Sequence, residues 1–368
     1  MQLVVFGLTI TSSWGNGHAT LWRGLVRALE RRGCRVIFFE RDEPYYAENR
    51  DVRELPGAEI VLYSNWEDVI PKARSALKSA DAAIITSYCH DAVLAGELTL
   101  NTTCRLSVFY DLDTPVTLAR LCEGEPVDYI GPRGLRDFDF VLSFTGGAAL
   151  DELRMRLGAR WVVPLYGHVD PDVHRPVVPA AHYRADLSYL GTYAADRQQT
   201  LEALFVASAR RRPDQRFLIG GAQYPQEFPW SDNIFFVRHL PPSEHPAFFS
   251  SSRLTLNVTR QAMASMGWCP SGRLFEAAAC GTPIISDVWP GLEDYFESGT
   301  EILLANDSDD VLAALDRSDA ELLRIGQAAR ERTLTEHTSA CRADELLALL
   351  SRAPAGVGLA METGGAVS

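Results

Sequence analysis

Hydrophobic and polar positions along the first half of the chain form blocks of two kinds. Short, nearly continuous apolar runs, typical of strands buried on both faces of a parallel sheet, alternate with segments that have apolar residues every three or four positions, typical of amphipathic helices. The predicted strands are Leu3–Leu8, Arg35–Glu40, Glu59–Tyr63, Asp81–Ser87, Arg105–Tyr110, Asp139–Thr145 and Trp161–Leu165. The predicted helices are Ala19–Arg32, Trp66–Ser79, Thr114–Cys122 and Ala148–Leu157. This alternation predicts a doubly wound α/β domain over residues 1–168.

A polar stretch with three prolines, residues 169–181, interrupts the pattern and predicts an interdomain linker. The alternation then restarts and predicts a second domain over residues 182–336. Its predicted strands are Leu187–Gly191, Arg216–Gly220, Ile234–Val237, Leu254–Val258, Pro283–Ser286 and Glu301–Leu304. Its predicted helices are Asp196–Arg212, Pro242–Ser250, Ser271–Cys280, Leu292–Glu297 and Asp309–Arg317.

The chain continues with a long helical pattern, Asp319–Leu350, which we expect to break near His337. Residues 337–352 are then a C-terminal helix, and the Gly/Ala-rich residues 353–368 are predicted to be disordered. Two Rossmann-like domains in tandem place ligands at the carboxyl ends of their strands, in the cleft between the domains.

Charge and composition exclude several classes of function. The formal net charge is -13 and neither half of the chain is basic, so a nucleic-acid partner is not expected. No apolar run is long enough to span a bilayer, which argues against membrane insertion. Seven scattered cysteines lack zinc-ligand spacing, so we expect free thiols, no metal site and a cytoplasmic location.

A glycine-containing loop follows the first predicted strand. Gly15 and Gly17 permit close backbone approach to a ligand at the start of the next helix, whose N-terminus favours an anion. The spacing is not the GxGxxG fingerprint of dinucleotide-binding proteins, which disfavours a nicotinamide cofactor. His18 follows the loop, and its ordinary pKa suits a general base acting on an acceptor hydroxyl; the alternative is a histidine that only caps the loop.

The most specific signal is the segment 270–287, PSGRLFEAAACGTPIISD. Ser271 starts a short, small-residue helix on which Arg273 and Glu276 lie one turn apart. A buried carboxylate needs hydroxyl partners, which a ribose diol supplies, and a guanidinium can bind a diphosphate. The alternative is a local Arg273–Glu276 salt bridge.

This segment resembles the nucleotide-sugar signature of group-1 glycosyltransferases. Together with Ser12–Ala19, Tyr88-Cys89-His90-Asp91 and the sequence YLGTYAADRQ, it resembles the CgeB-like, spore-maturation branch of that group over about residues 1–350. The resemblance implies a GT-B fold: two Rossmann-like doubly wound domains facing across a cleft, with a C-terminal helix that crosses back to the N-terminal domain. It also implies an N-terminal acceptor domain and a C-terminal donor domain.

The same resemblance assigns roles to further residues. Glu276 would hold the donor ribose. The loop that binds the diphosphate would comprise Gly191, Thr192, Tyr193 and Arg197. The nucleotide base would contact Arg238 and His239, and Arg260 would face the donor. Near the diphosphate or the sugar would lie Gly291, Leu292 and Glu293. One position departs from the pattern: Trp268 stands where group-1 enzymes commonly have a second glutamate. The residue that contacts the transferred sugar is therefore open.

Two further N-terminal residues, His90 and Asp111, are candidates for catalysis or for positioning the acceptor. His90 matches a family histidine beside the transferred sugar; its alternative is a buried, hydrogen-bonded histidine. Asp111 is a candidate for orienting the acceptor or a catalytic histidine. Asp113 completes an Asp-x-Asp pair, a metal motif of another transferase fold, but is expected to cap the next helix. The stripe Arg23, Arg27 and Arg31 is expected on a solvated helix face rather than at a membrane.

The prediction is therefore a metal-independent glycosyltransferase of the hexosyl-transfer type. It would use no cofactor, a UDP-, GDP- or dTDP-sugar as donor, and a small molecule or glycan as acceptor. The family leans towards retention of configuration, whereas a His18 base suits inversion. Two alternatives remain open: a nucleotide-sugar epimerase on the same fold, and a non-catalytic protein that binds nucleotide sugars.

Overall fold

Two parallel sheets form the framework of the protein. The computed structural model describes residues 1–353. The tail predicted to be disordered, 353–368, lies outside the described residues except for its first residue. Each sheet belongs to its own α/β domain, so the predicted pair of doubly wound domains is confirmed.

The first sheet has seven parallel strands in the order β3-β2-β1-β4-β5-β6-β7. They are β1 (Gln2–Gly7), β2 (Arg35–Arg41), β3 (Ala58–Tyr63), β4 (Ala82–Thr86), β5 (Ser107–Asp111), β6 (Phe140–Ser143) and β7 (Val162–Pro164). The order reverses between β1 and β4, which places a topological switch point beside the glycine loop that follows β1. All seven strands coincide with predicted ones, and the central strands β1, β4, β5 and β6 are almost wholly buried, as expected for apolar runs covered on both faces.

The second sheet repeats this plan with six parallel strands in the order β10-β9-β8-β11-β12-β13. They are β8 (Ala185–Leu190), β9 (Phe217–Gly221), β10 (Ile234–Arg238), β11 (Ser252–Asn257), β12 (Ile284–Ser286) and β13 (Leu303–Leu304). Its switch point lies between β8 and β11. The carboxyl ends of both sheets face each other, because residues after β1, β5 and β6 contact residues after β10 and β11.

Helices cover the faces of both sheets. In the first domain they are α1 (His18–Glu30), α2 (Pro44–Ala47), α3 (Trp66–Lys78), α4 (Ala92–Leu100), α5 (Thr114–Glu123) and α6 (Ala148–Leu157). In the second part of the chain they are α7 (Gln198–Leu201), α8 (Ala207–Arg211), α9 (His245–Ser250), α10 (Gln261–Met266), α11 (Gly272–Ala279), α12 (Ser308–Leu315), α13 (Asp319–Glu336) and α14 (Ser339–Arg352). A π-helical segment, Glu202–Val206, joins α7 and α8.

Three of these helices were not predicted, and one predicted helix is wrong. Helix α4 has the sequence AVLAGELTL, in which apolar residues occur on all sides, so it lacks the one-sided periodicity by which helices are recognised. Helices α2 and α10 have only four and six residues, too few to show a period. The predicted helix Leu292–Glu297 is only a short 3-10 turn, Leu292–Asp294, that starts after Gly291.

The crossing from the first domain to the second is fixed to α1 by ion pairs. Arg27 Nε lies 2.7 Å from Asp170 Oδ2, and Arg31 pairs with Asp172. Arg23 forms two hydrogen bonds with Asp51, at 2.6 and 3.0 Å. The expectation of a solvated face holds for the exposed Arg31 but is wrong for Arg23, which is buried, and Arg27 is half-buried. Each arginine has an acidic partner, and two of the three partners lie in the linker.

The C-terminal helix returns to the first domain. Helix α13 ends at Glu336 and α14 begins at Ser339, on either side of His337. Ala343, Leu346 and Leu350 of α14 are buried in the same cluster as Leu25 of α1. Arg32 at the end of α1 also pairs with Asp344 at 2.5 Å. The predicted return of the C-terminal helix to the N-terminal domain is thus confirmed. Helix α14 completes a hydrophobic core built mainly from residues of the first domain.

Candidate functional site

The carboxylate of Glu276 lies close to two histidines from separate parts of the chain. It projects from α11, and its side chain is 12% exposed. Its nearest polar neighbours are His245 Nδ1, 3.4 Å from Oε2, and His174 Nε2, 3.9 Å from Oε1. Both distances exceed an ordinary hydrogen bond. Neither histidine was predicted, because one lies in the linker and the other at the start of α9.

Electrostatics keeps Glu276 ionised. Burial alone would raise the pKa of its carboxyl, but His174, His245 and Arg273 outweigh burial and lower that pKa to about 2. Burial is the main cause that lowers the pKa of His174, and the nearby Glu276 carboxylate opposes that shift. Glu276 is therefore an anionic acceptor whose hydrogen bonds are not supplied by its own chain, as a ligand-binding carboxylate requires.

Arg273 does not form the local salt bridge that was the alternative to donor binding. No ion pair joins it to Glu276 within the described residues, and its buried Nε has no hydrogen-bond partner there. Ser271 is the N-cap of α11, because its hydroxyl accepts a hydrogen bond from the Arg273 backbone N–H at 3.3 Å. Thus Ser271 fixes the start of the helix, and the Arg273 side chain remains available to a ligand.

The loop after β8 brings a second guanidinium to the same place. Arg197 donates to the carbonyl oxygen of Thr192 and lies 5.9 Å from the Tyr189 ring centroid. Burial raises the pKa of Tyr189, whereas Arg197 and Arg273 both oppose that rise, so both guanidiniums lie near this buried hydroxyl. The hydroxyl itself has no partner. Positive charge and an unused hydroxyl donor therefore converge here, which suits a diphosphate.

Two tyrosines beside this loop, Tyr224 and Tyr193, support its backbone. The backbone carbonyl of Gly191 accepts a hydrogen bond from the Tyr224 hydroxyl at 3.1 Å, and a Cβ on Gly221 would lie 2.0 Å from that oxygen. Tyr193 packs edge-on against Tyr224, with ring centroids 5.8 Å apart. These contacts hold the backbone at Gly191 in close approach to β9, so Tyr193 supports the loop rather than facing the cleft with its ring.

The end of β10 meets the glycine loop of the first domain. The His239 ring lies 4.0 Å from the Trp14 ring, centroid to centroid, and His239 has a positive φ of 48°. Arg238 beside it is exposed. Gly15, with φ of 68°, and Gly17 are exposed in the loop that carries Trp14. The predicted base-binding and glycine-loop residues therefore lie on opposite walls of one cleft.

Glu40 explains why this loop is not a dinucleotide site. Its carboxylate is fully buried at the end of β2. It accepts hydrogen bonds from the Thr9 and Thr11 hydroxyls and from the Ile10 and Thr11 backbone N–H groups, at 2.5 to 3.0 Å. An acid committed to four internal donors is not available to a ribose.

His18, predicted as a general base, begins α1. Its side chain is half-buried, and its Nδ1 has no partner. Burial lowers the pKa of His18 to about 4, so its imidazole is neutral near pH 7 but a weaker base than an ordinary histidine. Its ring lies 5.7 Å from the Tyr88 ring.

His90, in contrast, is exposed, and the acidic group that it approaches is Glu43, at 3.9 Å. The alternative of a buried, hydrogen-bonded His90 is therefore wrong.

Asp113 occupies the position expected of Asp111 beside the cleft. Asp111 is fully buried and accepts from Asp113 N–H and the Thr117 hydroxyl, each at 3.1 Å. Asp113 precedes α5 but makes no side-chain cap, so the expected capping role is wrong. Its carboxylate instead accepts from the Tyr88 hydroxyl at 3.0 Å. Sequence reasoning missed Asp113 and Tyr88 as cleft residues because a helix start explained the first and the neighbouring His90 drew attention from the second.

Arg260 links the two domains. Its Nε lies 2.9 Å from Asp196 Oδ2 in the second domain, and its Nη1 lies 3.9 Å from Asp113 Oδ2 in the first. It therefore lies between the domains, where two carboxylates already balance its charge, and its contact with a donor stays a prediction.

Trp268 also spans the domains. Its ring lies against Gly147 of the first domain and Gly291 of the second; a Cβ on either glycine would lie 2.5 or 2.6 Å from ring atoms. Its indole N–H donates to Asp294 Oδ2 at 2.7 Å. After Gly291, Leu292 is buried and Glu293 is exposed. The position that commonly carries a glutamate thus holds an apolar contact between domains.

One further cluster could hold a metal. The ligand atoms of His174, His245 and Glu276 all lie within 4.8 Å of one another. Across residues 1–353, no helix is both long enough and apolar enough to cross a membrane. All seven cysteines are free.

Comparison with known proteins agrees with this geometry. Residues 197–348 match a family described as glycosyl transferase-like. No curated protein sequence matches the chain.

Among solved structures, a sucrose-phosphate synthase from Thermosynechococcus elongatus has a TM-score of 0.70 at 17% identity, covering 95% of this chain and 98% of the other. The Anabaena protein HepE in complex with UDP and glucose has a TM-score of 0.68 at 12% identity, covering 95% and 99%. An alpha-glucosyltransferase in complex with UDP has a TM-score of 0.71 at 13% identity, covering 96% and 100%. The chain therefore has the GT-B fold, and its residues 197–348 match the model of a family described as glycosyl transferase-like.

Proposed function

We propose that this protein is a glycosyltransferase of the hexosyl-transfer type, which moves a sugar from a nucleoside-diphosphate sugar to a hydroxyl group of a small molecule or glycan. The observation that carries the proposal is the convergence of an ionised Glu276, lacking internal donors, with the Arg273 and Arg197 side chains on one wall of the interdomain cleft. A carboxylate for a ribose diol beside two guanidiniums for a diphosphate is the pattern that such a donor needs.

The transfer proposed here needs no metal. As the bond between sugar and diphosphate breaks, charge grows on the leaving phosphate, and preorganised donors stabilise it. Arg273 and Arg197 supply positive charge, and the Tyr189 hydroxyl, which has no internal partner, supplies a donor nearby. His18, neutral and half-buried on the opposite wall, is the proposed acceptor-side base. The family resemblance favours retention of configuration, whereas a base at His18 would favour inversion, so the anomeric configuration of the product distinguishes these two versions of the proposal.

UDP is the favoured nucleotide. HepE and the alpha-glucosyltransferase, both similar in fold, have been solved in complex with UDP. One alpha-glucosyltransferase structure also contains DNA. We do not extend DNA binding to this chain, because its net charge of -13 opposes contact with phosphate backbones.

The narrower assignments remain part of the proposal. The CgeB-like branch is supported by the motifs at residues 12–19 and 88–91, and a cytoplasmic location by the seven free cysteines. The epimerase alternative has no support among the similar structures.

Calorimetry tests the donor site. UDP, GDP, dTDP and ADP are titrated into the protein in the presence of a chelator, and the best ligand is then tested on variants. We expect Glu276→Gln to weaken binding by about ten- to 100-fold, because the loss of a charged acceptor removes about 1.5–3 kcal/mol.

Glu297→Gln is the matched control, because Glu297 is exposed and lies outside the cleft wall. It should leave the affinity unchanged. Equal affinity of the wild-type and Glu276→Gln proteins would remove the donor-site assignment.

A further inference from the structure

The donor-side carboxylate is one corner of a three-residue cluster drawn from separate parts of the chain. His174 comes from the linker, His245 begins α9 and Glu276 projects from α11. The two nearest nitrogen–oxygen separations are 3.4 and 3.9 Å, and all three ligand atoms fall within 4.8 Å of one another.

The polar atoms of this cluster lack partners. His174 is 1% exposed, yet neither of its ring nitrogens has a hydrogen-bond partner among residues 1–353. The Nδ1 atom of His245 is also buried and unpartnered. Buried polar side-chain atoms are normally paired with protein groups or ordered water. Three unpaired imidazole nitrogens, two of them within 4 Å of one carboxylate, therefore indicate a bound group.

The second nitrogen of His245 shows what kind of group fits. Its Nε2 lies 3.3 Å from the carbonyl oxygen of Leu240, to which only a protonated nitrogen can donate. In the neutral ring this leaves a lone pair on Nδ1, directed towards a Glu276 oxygen. A lone pair facing a carboxylate is unfavourable unless a positive species lies between them.

We propose that His174, His245 and Glu276 bind one divalent transition-metal ion of the zinc class, and that this ion competes with the nucleotide for Glu276. Imidazole and carboxylate ligands together suit zinc and its neighbours, and three protein ligands leave one position open. Tetrahedral zinc places its nitrogen and oxygen ligands about 3.4 Å apart. One separation already has that value, and the widest, at most 4.8 Å, needs to contract by up to about 1.4 Å.

Competition follows from the shared carboxylate, and this part of the inference rests on the proposed donor site. A metal-bound oxygen of Glu276 cannot also accept a strong hydrogen bond from a ribose hydroxyl. The ion is thus an inhibitor of donor binding, and the transfer reaction itself stays independent of metal.

Cobalt is the direct probe of the site. The protein is freed of metal with a chelator, transferred to chelator-free buffer and titrated with Co²⁺, whose visible absorption in a low-coordinate nitrogen and oxygen site is intense enough to follow. We expect one equivalent to bind, Zn²⁺ to displace it, and both His174→Ala and His245→Ala to lose the signal.

Two further variants show whether a lost cobalt signal results from misfolding rather than from the loss of a ligand. Glu276→Gln retains side-chain volume and should weaken Co²⁺ binding at least tenfold. His182→Ala, which removes an exposed histidine outside the cluster, should bind as the wild type does. Absence of the spectrum in the wild type, or its persistence in all three cluster variants, would overturn the proposal and leave a proton on an imidazole as the positive species.

A second experiment tests the competition between metal and nucleotide by measuring UDP affinity with and without micromolar Zn²⁺. We expect zinc to weaken UDP binding at least tenfold in the wild type but not in His174→Ala, which keeps Glu276 and also controls for zinc bound by UDP in solution. UDP affinity that ignores zinc in the wild type would refute the overlap. Failure of UDP to bind in chelator would refute the donor site alone, while the cobalt spectrum still decides the metal site.

Discussion

At the scale of single residues, two buried carboxyls on opposite walls of the cleft differ in charge state. The pKa of Glu276 is lowered to about 2 because His174, His245 and Arg273 outweigh burial. The pKa of Asp111 is raised to about 6, because burial outweighs its hydrogen bonds with Asp113 and Thr117. Burial alone therefore does not decide whether a carboxyl in this cleft is charged; its neighbours do.

Asp111 should make the fold less stable as pH rises. Its folded-state pKa is above its unfolded value, so its stabilising contribution is complete below that unfolded value and is lost as pH rises through about 6. Between pH 5 and 7.5 we expect wild type to lose roughly 1 kcal/mol relative to Asp111→Asn. Urea unfolding of both proteins at the two pH values measures this difference, in which the other titrating groups cancel. Parallel pH profiles would show that Asp111 is not protonated in the folded protein.

The sequence located Glu276 and Asp111 but not their environments. Arg273 and Glu276 stand in one motif, so their chemistry could be read locally. His174 and His245 reach Glu276 only through folding, from segments whose own patterns indicate a linker and a helix start. A sequence pattern shows the class of a side chain; the fold decides which groups surround it.

At the scale of elements, α1 fastens the linker to the first domain. Arg27 reaches Asp170, which is 7% exposed, whereas Arg31 reaches Asp172, which is 68% exposed. The two pairs have the same chemistry and adjacent positions on one helix face but differ in burial. They form a matched test of how much burial matters to an ion pair.

Arg27→Ala should lower the free energy of unfolding by about 2 kcal/mol, because it leaves the buried Asp170 carboxylate without its cation. Arg31→Ala should cost less than about 0.5 kcal/mol, as exposed pairs do. Urea denaturation of both variants provides the comparison. Equal losses would mean that Asp170 is solvated when the protein is in solution.

The elements that sequence patterns predicted are those with a one-sided or continuous apolar signal. All thirteen strands coincide with predicted ones because each is a compact apolar run between polar or helical segments. Helix α4 escaped because it is apolar all round, and the arginine stripe of α1 was misread because its acidic partners lie far along the chain. Local periodicity predicts elements well, but pairing between distant segments requires the fold.

At the scale of the whole molecule, Trp268 and Arg260 hold the domains together. The Trp268 ring fills the space between Gly147 and Gly291, and Arg260 approaches Asp113 across the cleft. Each contact joins one residue of the second domain to the first. The relative position of the domains therefore depends on a few side chains beside the proposed site, so domain position and site geometry are coupled.

Gly147→Ala should destabilise the protein through Trp268. The new Cβ would lie 2.5 Å from Trp268 Cε3, and Gly147 has a positive φ of 57°, so steric overlap and backbone strain together should cost about 2–3 kcal/mol. In a Trp268→Ala background only the strain remains, so the same substitution should cost about 1 kcal/mol. Thermal unfolding of the four proteins gives the coupling energy. Additive effects would show that the domains do not meet at Trp268 in solution.

The return of α14 to the first domain has a consequence for folding during synthesis. The hydrophobic cluster that contains Leu25 is completed by Ala343, Leu346 and Leu350 of α14. The ribosome adds these three residues only after the entire second domain. Until then, one flank of the N-terminal sheet keeps an apolar groove exposed to solvent. The first domain to be synthesised is therefore the last to be finished, and its nascent form has a surface on which chaperones can act.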